Sequence, residues 1–246
     1  MIRLSVNVNK IATVRNSRGG TVPSVLDAVK VCVAAGAPGI TVHPRADARH
    51  ITAADVHEVS GWLRTHAARV EFNIEGDPRP DLLALVHAVK PTQCTLVPVH
   101  PGEITSQAGW SPDAPREGLM SAVRALRAEG IRVSLFVDPE EEPVRWAAQV
   151  GGDRVELYTE PFARAFERGK AAAEESFQIY AGAADLAASL GLGVNAGHDL
   201  DLANLVLFRR LPHLDEVSIG HALVSHALFV GLERSVRDYL DVLRAK

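Results

Sequence analysis

The chain has 246 residues, 47% of them hydrophobic, and a formal net charge of −4 at pH 7, and its length is typical of one eight-fold barrel, about 250 residues. It has no Lys/Arg block of the kind that binds nucleic acid and no run of about 18 apolar residues that predicts a membrane span, so neither nucleic acid nor membrane is an expected partner. The first ten residues have too short an apolar run for a signal peptide, and Cys32 and Cys94 lie in apolar segments that suit buried free thiols, so we expect a cytoplasmic protein.

Short β-branched runs alternate with longer segments of helical period from one end of the sequence to the other. In chain order, strands are predicted at Leu4–Val8, Gly39–Val42, Val70–Ile74, Gln93–Val97, Arg132–Phe136, Arg154–Leu157, Gly193–Asn195 and Glu216–Ile219. Helices are predicted at about 23–36, 53–66, 81–89, 117–129, 140–150, 171–190, 201–209 and 227–244. Thr52 is placed to cap the second helix, and Asp138-Pro139 to supply a cap and a first-turn proline for the fifth.

Repeated strand–helix units require parallel strands joined by right-handed crossovers, in either a closed barrel or an open, doubly wound sheet. Eight such units favour closure. The first strand is followed by Asn9-Lys10-Ile11-Ala12 rather than by the G-x-G-x-x-G turn of a dinucleotide-binding sheet, so no nicotinamide cofactor is expected. The sequence therefore predicts an α/β protein in which residues 1–246 form a single (β/α)8 TIM barrel domain.

The connection after the fourth strand differs from the others. Residues 98–117 contain four prolines and two glycines, a composition too broken for a helix or strand and a length unusual for a loop between a strand and a helix. A lid over an active site and a disordered surface excursion are the two interpretations. Thr105, Trp110 and several apolar residues in this stretch would need cover, which favours the lid.

Polar residues lie at or just after the predicted carboxyl ends of the strands. In barrels of this type these ends form the active face, whereas the opposite face serves stability. The residues are Asn7, Asn9, His43, Arg45, Glu75, Thr105, Asp138, Glu156, Asn195, His198, Gly220 and His221. Each alone is compatible with an ordinary start of a loop. Because a barrel mouth holds only one small-molecule site, however, we expect these side chains to converge on it.

Glu75 is the first candidate for a general base. It follows the apolar run Val70–Ile74, so partial desolvation in the mouth should raise its pKa towards the range useful for proton transfer. Glu156 ends the sixth strand in the same way, and a neighbouring carboxylate would raise one of the two pKa values further. A structural ion pair is an equally good interpretation of Glu156.

Two glycine-bearing turns predict a phosphate site. Gly197 and Gly220 follow the seventh and eighth strands, where barrels commonly bind phosphate through backbone N–H groups. Plain turns are the alternative explanation of both glycines. Arg18, in a glycine-containing loop, would add a fork of donors to the anion.

A second anion site is predicted after the second strand, where His43, Arg45 and His50 bring cationic or donor groups together. Two anion sites indicate two phosphorylated substrates or one bisphosphate. Clustered histidines also suit a metal, but the sequence has neither H-x-H nor H-E-x-x-H spacing, so no metal is expected.

Eight segments of the sequence form a specific pattern together, although none would suffice alone. They are IATVRNSRG at Ile11–Gly19, GITVH at Gly39–His43, RHIT at Arg49–Thr52, NIE at Asn73–Glu75, CTLVP at Cys94–Pro98, VSLF at Val133–Phe136, GLGVNAGH at Gly191–His198 and IGHA at Ile219–Ala222. In this order they resemble the pyridoxine 5′-phosphate synthases, which close the pyridine ring of vitamin B6 from 3-amino-2-oxopropyl phosphate and 1-deoxy-D-xylulose 5-phosphate. The resemblance covers essentially the whole chain.

The resemblance implies which of these residues are catalytic and which bind the substrates. His43, Glu75 and His198 would exchange protons with the substrates, and Glu156 would support charge in the transition state. The amino-ketone phosphate would be held by Asn7, Arg18, Gly220 and His221, and the pentulose phosphate by Arg45, His50 and Thr105. The resemblance further implies a lid that closes over both substrates, catalysis without metal or redox cofactor, inorganic phosphate as a product, and a homo-octamer.

The sequence departs from the family pattern in three places. Asn9-Lys10 stands where Asp-His is usual, Asp199 stands where glycine is usual, and Ser106-Gln107-Ala108 replaces Thr-Glu-Gly in the predicted lid. Asn9, Lys10 and Asp199 are therefore candidate substrate-binding positions with altered chemistry. They leave two alternatives open: a Schiff-base aldolase or related condensing enzyme that uses Lys10, and a barrel that only binds phosphorylated metabolites.

Overall fold

The computed structural model describes residues 1–98 and 108–245, and within them the chain forms a closed barrel of parallel strands. Eight strands follow one another around it: β1 (Arg3–Asn7), β2 (Gly39–Val42), β3 (Glu71–Gly76), β4 (Gln93–Leu96), β5 (Arg132–Val137), β6 (Arg154–Leu157), β7 (Gly193–Ala196) and β8 (Leu214–Ile219). Each strand pairs in parallel with the next, and β8 pairs with β1 to close the sheet. All eight predicted strands are confirmed, with ends at most two residues from the predicted ones.

Helices cover the outside of the barrel. Those of the described residues are α1 (Asn9–Asn16), α2 (Val25–Ala34), α3 (Ala53–His66), α4 (Pro80–Val89), α5 (Arg116–Ala128), α6 (Glu141–Val150), α7 (Glu160–Glu167), α8 (Lys170–Ser189), α9 (Leu205–Phe208), α10 (His221–Val230) and α11 (Leu232–Arg244). The prediction missed α1 and α7, and its single last helix is wrong. The chain forms α10 and α11 separately there because Gly231, at φ +86°, interrupts the helical path.

The helix starts show which capping predictions were correct. Thr52 caps α3, because its Oγ1 accepts from Asp55 N at 3.2 Å while Thr52 N donates to Asp55 Oδ2 at 2.8 Å. The predicted cap at Asp138 is wrong: α6 begins at Glu141, and Asp138 Oδ1 instead accepts from Gly109 N at 3.3 Å. The helix predicted over 201–209 is also shorter. The Asp201 carboxylate accepts hydrogen bonds from the backbone N–H groups of Ala203 and Asn204, which form a turn before α9.

The interior of the barrel is polar in layers. At the amino-terminal end Arg3 pairs with Glu71 and, at 3.2 Å, with the buried carboxylate of Glu216. Above this layer, Ser5 Oγ lies 2.7 Å from Thr41 Oγ1, and further buried hydroxyl and amide groups continue the network towards the carboxyl end. Ser5, Thr41, Asn73 and Thr95 are joined by these hydrogen bonds, so the floor under the mouth is a connected polar network.

The apolar core lies between the barrel and its helices. Its largest fully buried side chains include Trp146, Tyr180, Phe162 and Phe208, and the last two rings pack with their centroids 4.9 Å apart. In the described part of the chain no helix is both long and apolar enough to cross a membrane. The apolar side chains thus pack between the strands and the helices, and polar side chains occupy the carboxyl ends of the strands.

Candidate active site

A cavity of about 630 Å³ opens at the carboxyl ends of the strands. The residues predicted for the site that line it are Asn7, Asn9, Lys10, His43, Arg45, His50, Glu75, Glu156, His198, Asp199, Gly220 and His221. Thr105 lies outside the described residues, as does the part of the predicted lid from 99 to 107. The expected convergence on a single cavity is therefore seen for these residues, but it is wrong for Asp138 and Asn195, and Arg18 does not line the cavity either. Asn195 lies inside the barrel, where its Oδ1 accepts from Arg154 Nη1 at 2.8 Å. Asp138 bonds to Gly109 outside this cavity.

Arg18 lies beyond the end of α1, is exposed, and does not line the cavity. Arg15, from the same sequence motif, points towards α3 and forms hydrogen bonds there. Its guanidinium donates to Asp55 Oδ2 at 2.9 Å and to the backbone oxygen of His50 at 3.2 Å. It thereby ties α1 to the start of α3 and fixes the loop that carries His50.

His43 and Glu75 lie side by side at the ends of the paired strands β2 and β3. His43 Nδ1 lies 3.7 Å from Glu75 Oε2, and Asn7 Nδ2 donates to the same oxygen at 3.3 Å. The backbone of His43 is held by Asn9, whose Oδ1 accepts from His43 N at 2.9 Å, while Asn9 N donates to Asn7 Oδ1 at 3.0 Å. The two asparagines of the first strand–helix unit thus position both proton-transfer candidates.

Burial sets the protonation of this pair. It raises the pKa of Glu75 to about 7, against the opposing charges of His198 and Arg45. Burial, followed by the charges of Arg45 and His50, lowers the pKa of His43 well below its ordinary value. At neutral pH a neutral imidazole therefore lies beside a carboxyl group that can both lose and gain a proton. His43 Nε2 is buried and has no hydrogen-bond partner among the described residues, which leaves it for a bound ligand.

Glu156 lies at the end of β6, also buried. Burial first, and then the charges of Glu75 and Glu216, raise the pKa of Glu156 well above its ordinary value. Its Oε2 has no hydrogen-bond partner among residues 1–98 and 108–245, while its side chain also bonds to Thr95. A carboxyl group that stays protonated here can donate a hydrogen bond to a developing negative charge.

The two glycine turns differ in what they require. A Cβ on Gly197 would lie 2.0 Å from the backbone oxygen of Ser218, so glycine is needed there for close packing of β7 against β8. Gly220 precedes α10, whose first residue, His221, lines the cavity. The amino-terminal N–H groups of this ten-residue helix and its dipole favour an anion.

At the second predicted anion site the positive charge comes from Arg45 and Lys10, and His50 is neutral. His50 Nδ1 accepts from Ile51 N at 2.9 Å, so in the neutral ring Nε2 carries the hydrogen. Burial, then the charges of Arg45 and Lys10, lower the pKa of His50 to about 4. His50 is thus a neutral donor next to fixed cations. In the described part of the chain no group of three or more His, Cys, Asp or Glu residues is arranged to hold a metal ion.

Several lining residues were not predicted from the sequence. They are Thr13, Arg49, Val97, Phe136, Asp201, Ser218 and Ala222. Arg49 could have been found as the neighbour of His50 in the quoted motif, and Ser218 as an inward-facing position near the end of β8. Thr13 lies in the quoted motif Ile11–Gly19, but its place in the mouth depends on α1, a helix that the hydrophobic pattern did not predict.

Comparisons with known proteins agree with this geometry. Residues 4–245 match the family model described as pyridoxal phosphate biosynthesis protein PdxJ. Relatives named pyridoxine 5′-phosphate synthase from Christiangramia forsetii and Bacteroides fragilis are each 51% identical over 245 residues, which are 99% of this chain and 100% of the relative.

Solved structures of lower identity share the barrel. Thiamine phosphate pyrophosphorylase from Pyrococcus furiosus has a TM-score of 0.64 at 13% identity, over 98% of this chain and 95% of that one. Phosphoribosyl anthranilate isomerase from Thermotoga maritima has a TM-score of 0.58 at 13% identity, over 99% of both chains. At such identity these two structures show the fold alone.

Proposed function

The chain belongs to the family of pyridoxal phosphate biosynthesis protein PdxJ, and we propose that its barrel mouth closes the pyridine ring with His43, Glu75 and His198 as proton-transfer groups. Its activity is the synthesis of pyridoxine 5′-phosphate, a step of vitamin B6 biosynthesis. The observation that carries the proposed roles is the arrangement of these side chains and Glu156 around one cavity of about 630 Å³.

The reaction joins 3-amino-2-oxopropyl phosphate to 1-deoxy-D-xylulose 5-phosphate. The amine of the first condenses with the ketone of the second, phosphate is eliminated, a carbon–carbon bond closes the ring, and loss of water and protons makes it aromatic. Every stage moves protons, and none requires a strong protein nucleophile. This requirement suits a mouth that contains imidazoles and carboxyl groups poised for acid–base work.

Glu75 is the proposed general base. Its pKa of about 7 lets it take a proton from a substrate carbon or nitrogen and return it within one turnover. His43, neutral and 3.7 Å away, is the proposed relay between Glu75 and the substrate. Glu156, kept protonated by its surroundings, is the proposed hydrogen-bond donor to charge that develops in the transition state.

The phosphates are proposed to bind at opposite sides of the mouth. The amino terminus of α10, with Gly220 and His221 and with Asn7 next to Gly220, suits the amino-ketone phosphate. Arg45 and His50 line the cavity and suit the pentulose phosphate. The resemblance adds Thr105 to this second site. Arg18 would have to approach from its exposed position to join the first site.

The proposal extends to a cytoplasmic, single-domain subunit in a homo-octamer. Cys32 and Cys94 are buried and unpaired, as suits a reducing compartment. Leu228 and Phe229, at the end of α10, are 76% and 89% exposed, an arrangement that supports burial against another copy.

The Schiff-base alternative has less support. A lysine that forms an imine is usually activated by desolvation, and Lys10 is exposed at the rim of the cavity. The charge of Lys10 acts instead on His50, whose pKa it lowers, which fits a role in binding an anionic substrate.

The decisive experiment supplies both substrates to purified protein and follows pyridoxine 5′-phosphate and inorganic phosphate together. We expect both products to form in equal amounts. Folded protein that forms neither product would contradict the proposed function, and phosphate release without the pyridine product would show that only the first half of the reaction proceeds.

A further inference from the structure

His198 forms a pair with the residue that follows it. His198 Nδ1 lies 2.7 Å from Asp199 Oδ2, and the two side chains are 32% and 33% exposed. A carboxylate oxygen can only accept, so Nδ1 carries the hydrogen of this bond. In the neutral ring the lone pair then lies on Nε2.

The backbone of Asp199 is fixed from two sides. Its N–H donates to Oγ1 of the fully buried Thr159 at 3.2 Å, and its carbonyl oxygen accepts from Nδ2 of the buried Asn204 at 3.1 Å. Tyr158 lies against the imidazole, with ring centroids 6.2 Å apart and planes at 62°. A carboxylate anchored in this way, together with Tyr158, defines the orientation of the His198 ring.

This pair belongs to the electrostatic cluster of the mouth. The charge of His198 acts on Glu75 and on His43, and it lowers the pKa of both. The protonation of His198 therefore affects both proton-transfer partners across the cavity. Asp199 stands where the resemblance to the synthase family predicts glycine, and its backbone alone makes the bonds to Thr159 and Asn204, so the carboxylate is available to His198.

We propose that Asp199 is a positioning residue: it holds His198 in the tautomer with hydrogen on Nδ1, so that Nε2 takes protons from the substrate and returns them. The inference rests on the proposed function and deepens it by naming the atom of His198 that reacts. When Nε2 accepts a substrate proton, the imidazolium keeps its Nδ1–H bond to the Asp199 carboxylate. When Nε2 gives that proton to a leaving oxygen, the neutral ring returns to the same tautomer, and no other group is consumed.

The test compares Asp199→Ala and Asp199→Glu with the wild type. Removal of the acceptor should lower kcat by roughly 10- to 100-fold, less than the roughly 10²- to 10⁴-fold loss of an acid–base group, because His198 itself remains. KM should stay within about twofold because the substrates do not bind Asp199 in this scheme. Glutamate keeps a carboxylate within reach of Nδ1 and should recover part of the lost kcat. Melting temperature should change little, since a pair exposed by a third contributes little stability.

A spectroscopic measurement separates positioning from a structural role. In the neutral ring, ¹⁵N spectra distinguish a nitrogen that carries hydrogen from one that carries a lone pair. We expect hydrogen on Nδ1 of His198 in the wild type and a shift towards hydrogen on Nε2 in Asp199→Ala. The matched control is Asp185→Asn, because Asp185 pairs with a histidine on the outer surface, Oδ1 lying 3.2 Å from His213 Nε2. That variant should leave kcat and the His198 spectrum unchanged.

Three results would overturn the inference: a kcat in Asp199→Ala within about twofold of the wild type, a loss that appears in KM instead, or a His198 tautomer that is the same in both proteins. An inactive wild type would contradict the proposed function instead. The tautomer spectra need no turnover, so they test the position of the hydrogen in either case.

Discussion

Replacement of Glu75 by glutamine removes the proposed base and keeps the shape of the side chain. The pKa of Glu75 is raised from 4.5 to about 7, mainly by burial. Each pKa unit corresponds to about 1.4 kcal/mol, so ionisation of this group in the folded protein costs about 3 kcal/mol more than in the unfolded chain. Glutamine stays neutral at every pH and does not incur this cost.

The same change has opposite effects on turnover and on stability. Loss of a general base should lower kcat by roughly 10²- to 10⁴-fold. Because the folded-state pKa is raised, the stability that the Glu75 proton contributes is complete below pH 4.5 and is lost as pH rises through about 7. The variant and the wild type should thus be equally stable at pH 4.5, and the variant more stable at pH 8 by up to about 3 kcal/mol, on the order of 6–10 °C in Tm.

The assay measures product formation at pH 7.5 and thermal unfolding across the pH range. Glu175→Gln is the control, because Glu175 is exposed on the outer helix α8, and it should change neither quantity. Turnover of Glu75→Gln above about a tenth of the wild-type value would remove Glu75 from the central role. A Tm difference that does not grow between pH 4.5 and pH 8 would refute the account in which burial raises the Glu75 pKa.

Three further results are expected. The kcat/KM of the wild type should rise with pH through about 7, because Glu75 must be ionised to accept a proton; a rate that is flat between pH 6 and 8 would contradict this. Gly197→Ala should cost about 4 kcal/mol or prevent folding, because its Cβ would lie 2.0 Å from Ser218 O. Its control, Gly182→Ala, has no atom within 4 Å of the new Cβ and should stabilise α8 by about 0.5–1 kcal/mol; equal effects of the two changes would contradict the packing argument. Borohydride reduction in the presence of the pentulose phosphate should leave Lys10 unlabelled in a peptide mass spectrum, and a label on Lys10 would favour the imine alternative.

The strands could be predicted because burial on both faces gives parallel strands continuous β-branched runs. Gly39–Val42 and Arg154–Leu157 were predicted to the residue. The helices that were missed are short or polar: α1 buries only Ala12, and α7 follows β6 within three residues, where the pattern reads as a loop. Periodicity is a poor signal for α1 because little of that helix is buried, whereas α7 buries Phe162 and Ala165 but has only eight residues, too few for its apolar face to be distinguished from a loop.

The site could be predicted as a set of residues but not as a set of contacts. Residues at strand ends converge whatever their identity, so the positions of Glu75 and Glu156 follow from the fold. The absence of Arg18 from the cavity and the bonds of Arg15 do not follow from the fold, because they depend on which of two arginines in one motif reaches across to α3. The apolar run before Glu75 predicted a raised pKa, and this direction is confirmed. Such a prediction is feasible because an apolar run indicates burial, and burial raises the pKa of a carboxyl group.

The departures from the family pattern change the distribution of charge while they keep the contacts that position the mouth. Asn9 Oδ1 accepts from the backbone of His43, a bond that a carboxylate oxygen makes equally well, so loss of the usual acid leaves the position of His43 intact. Lys10 brings a fixed positive charge to the side of the mouth that holds Arg45 and His50. Asp199 brings a carboxylate to the opposite side, where it bonds to His198. An added cation near the pentulose phosphate and an added anion beside a histidine that gains positive charge are both electrostatically favourable, so the three substitutions fit retention of the family reaction.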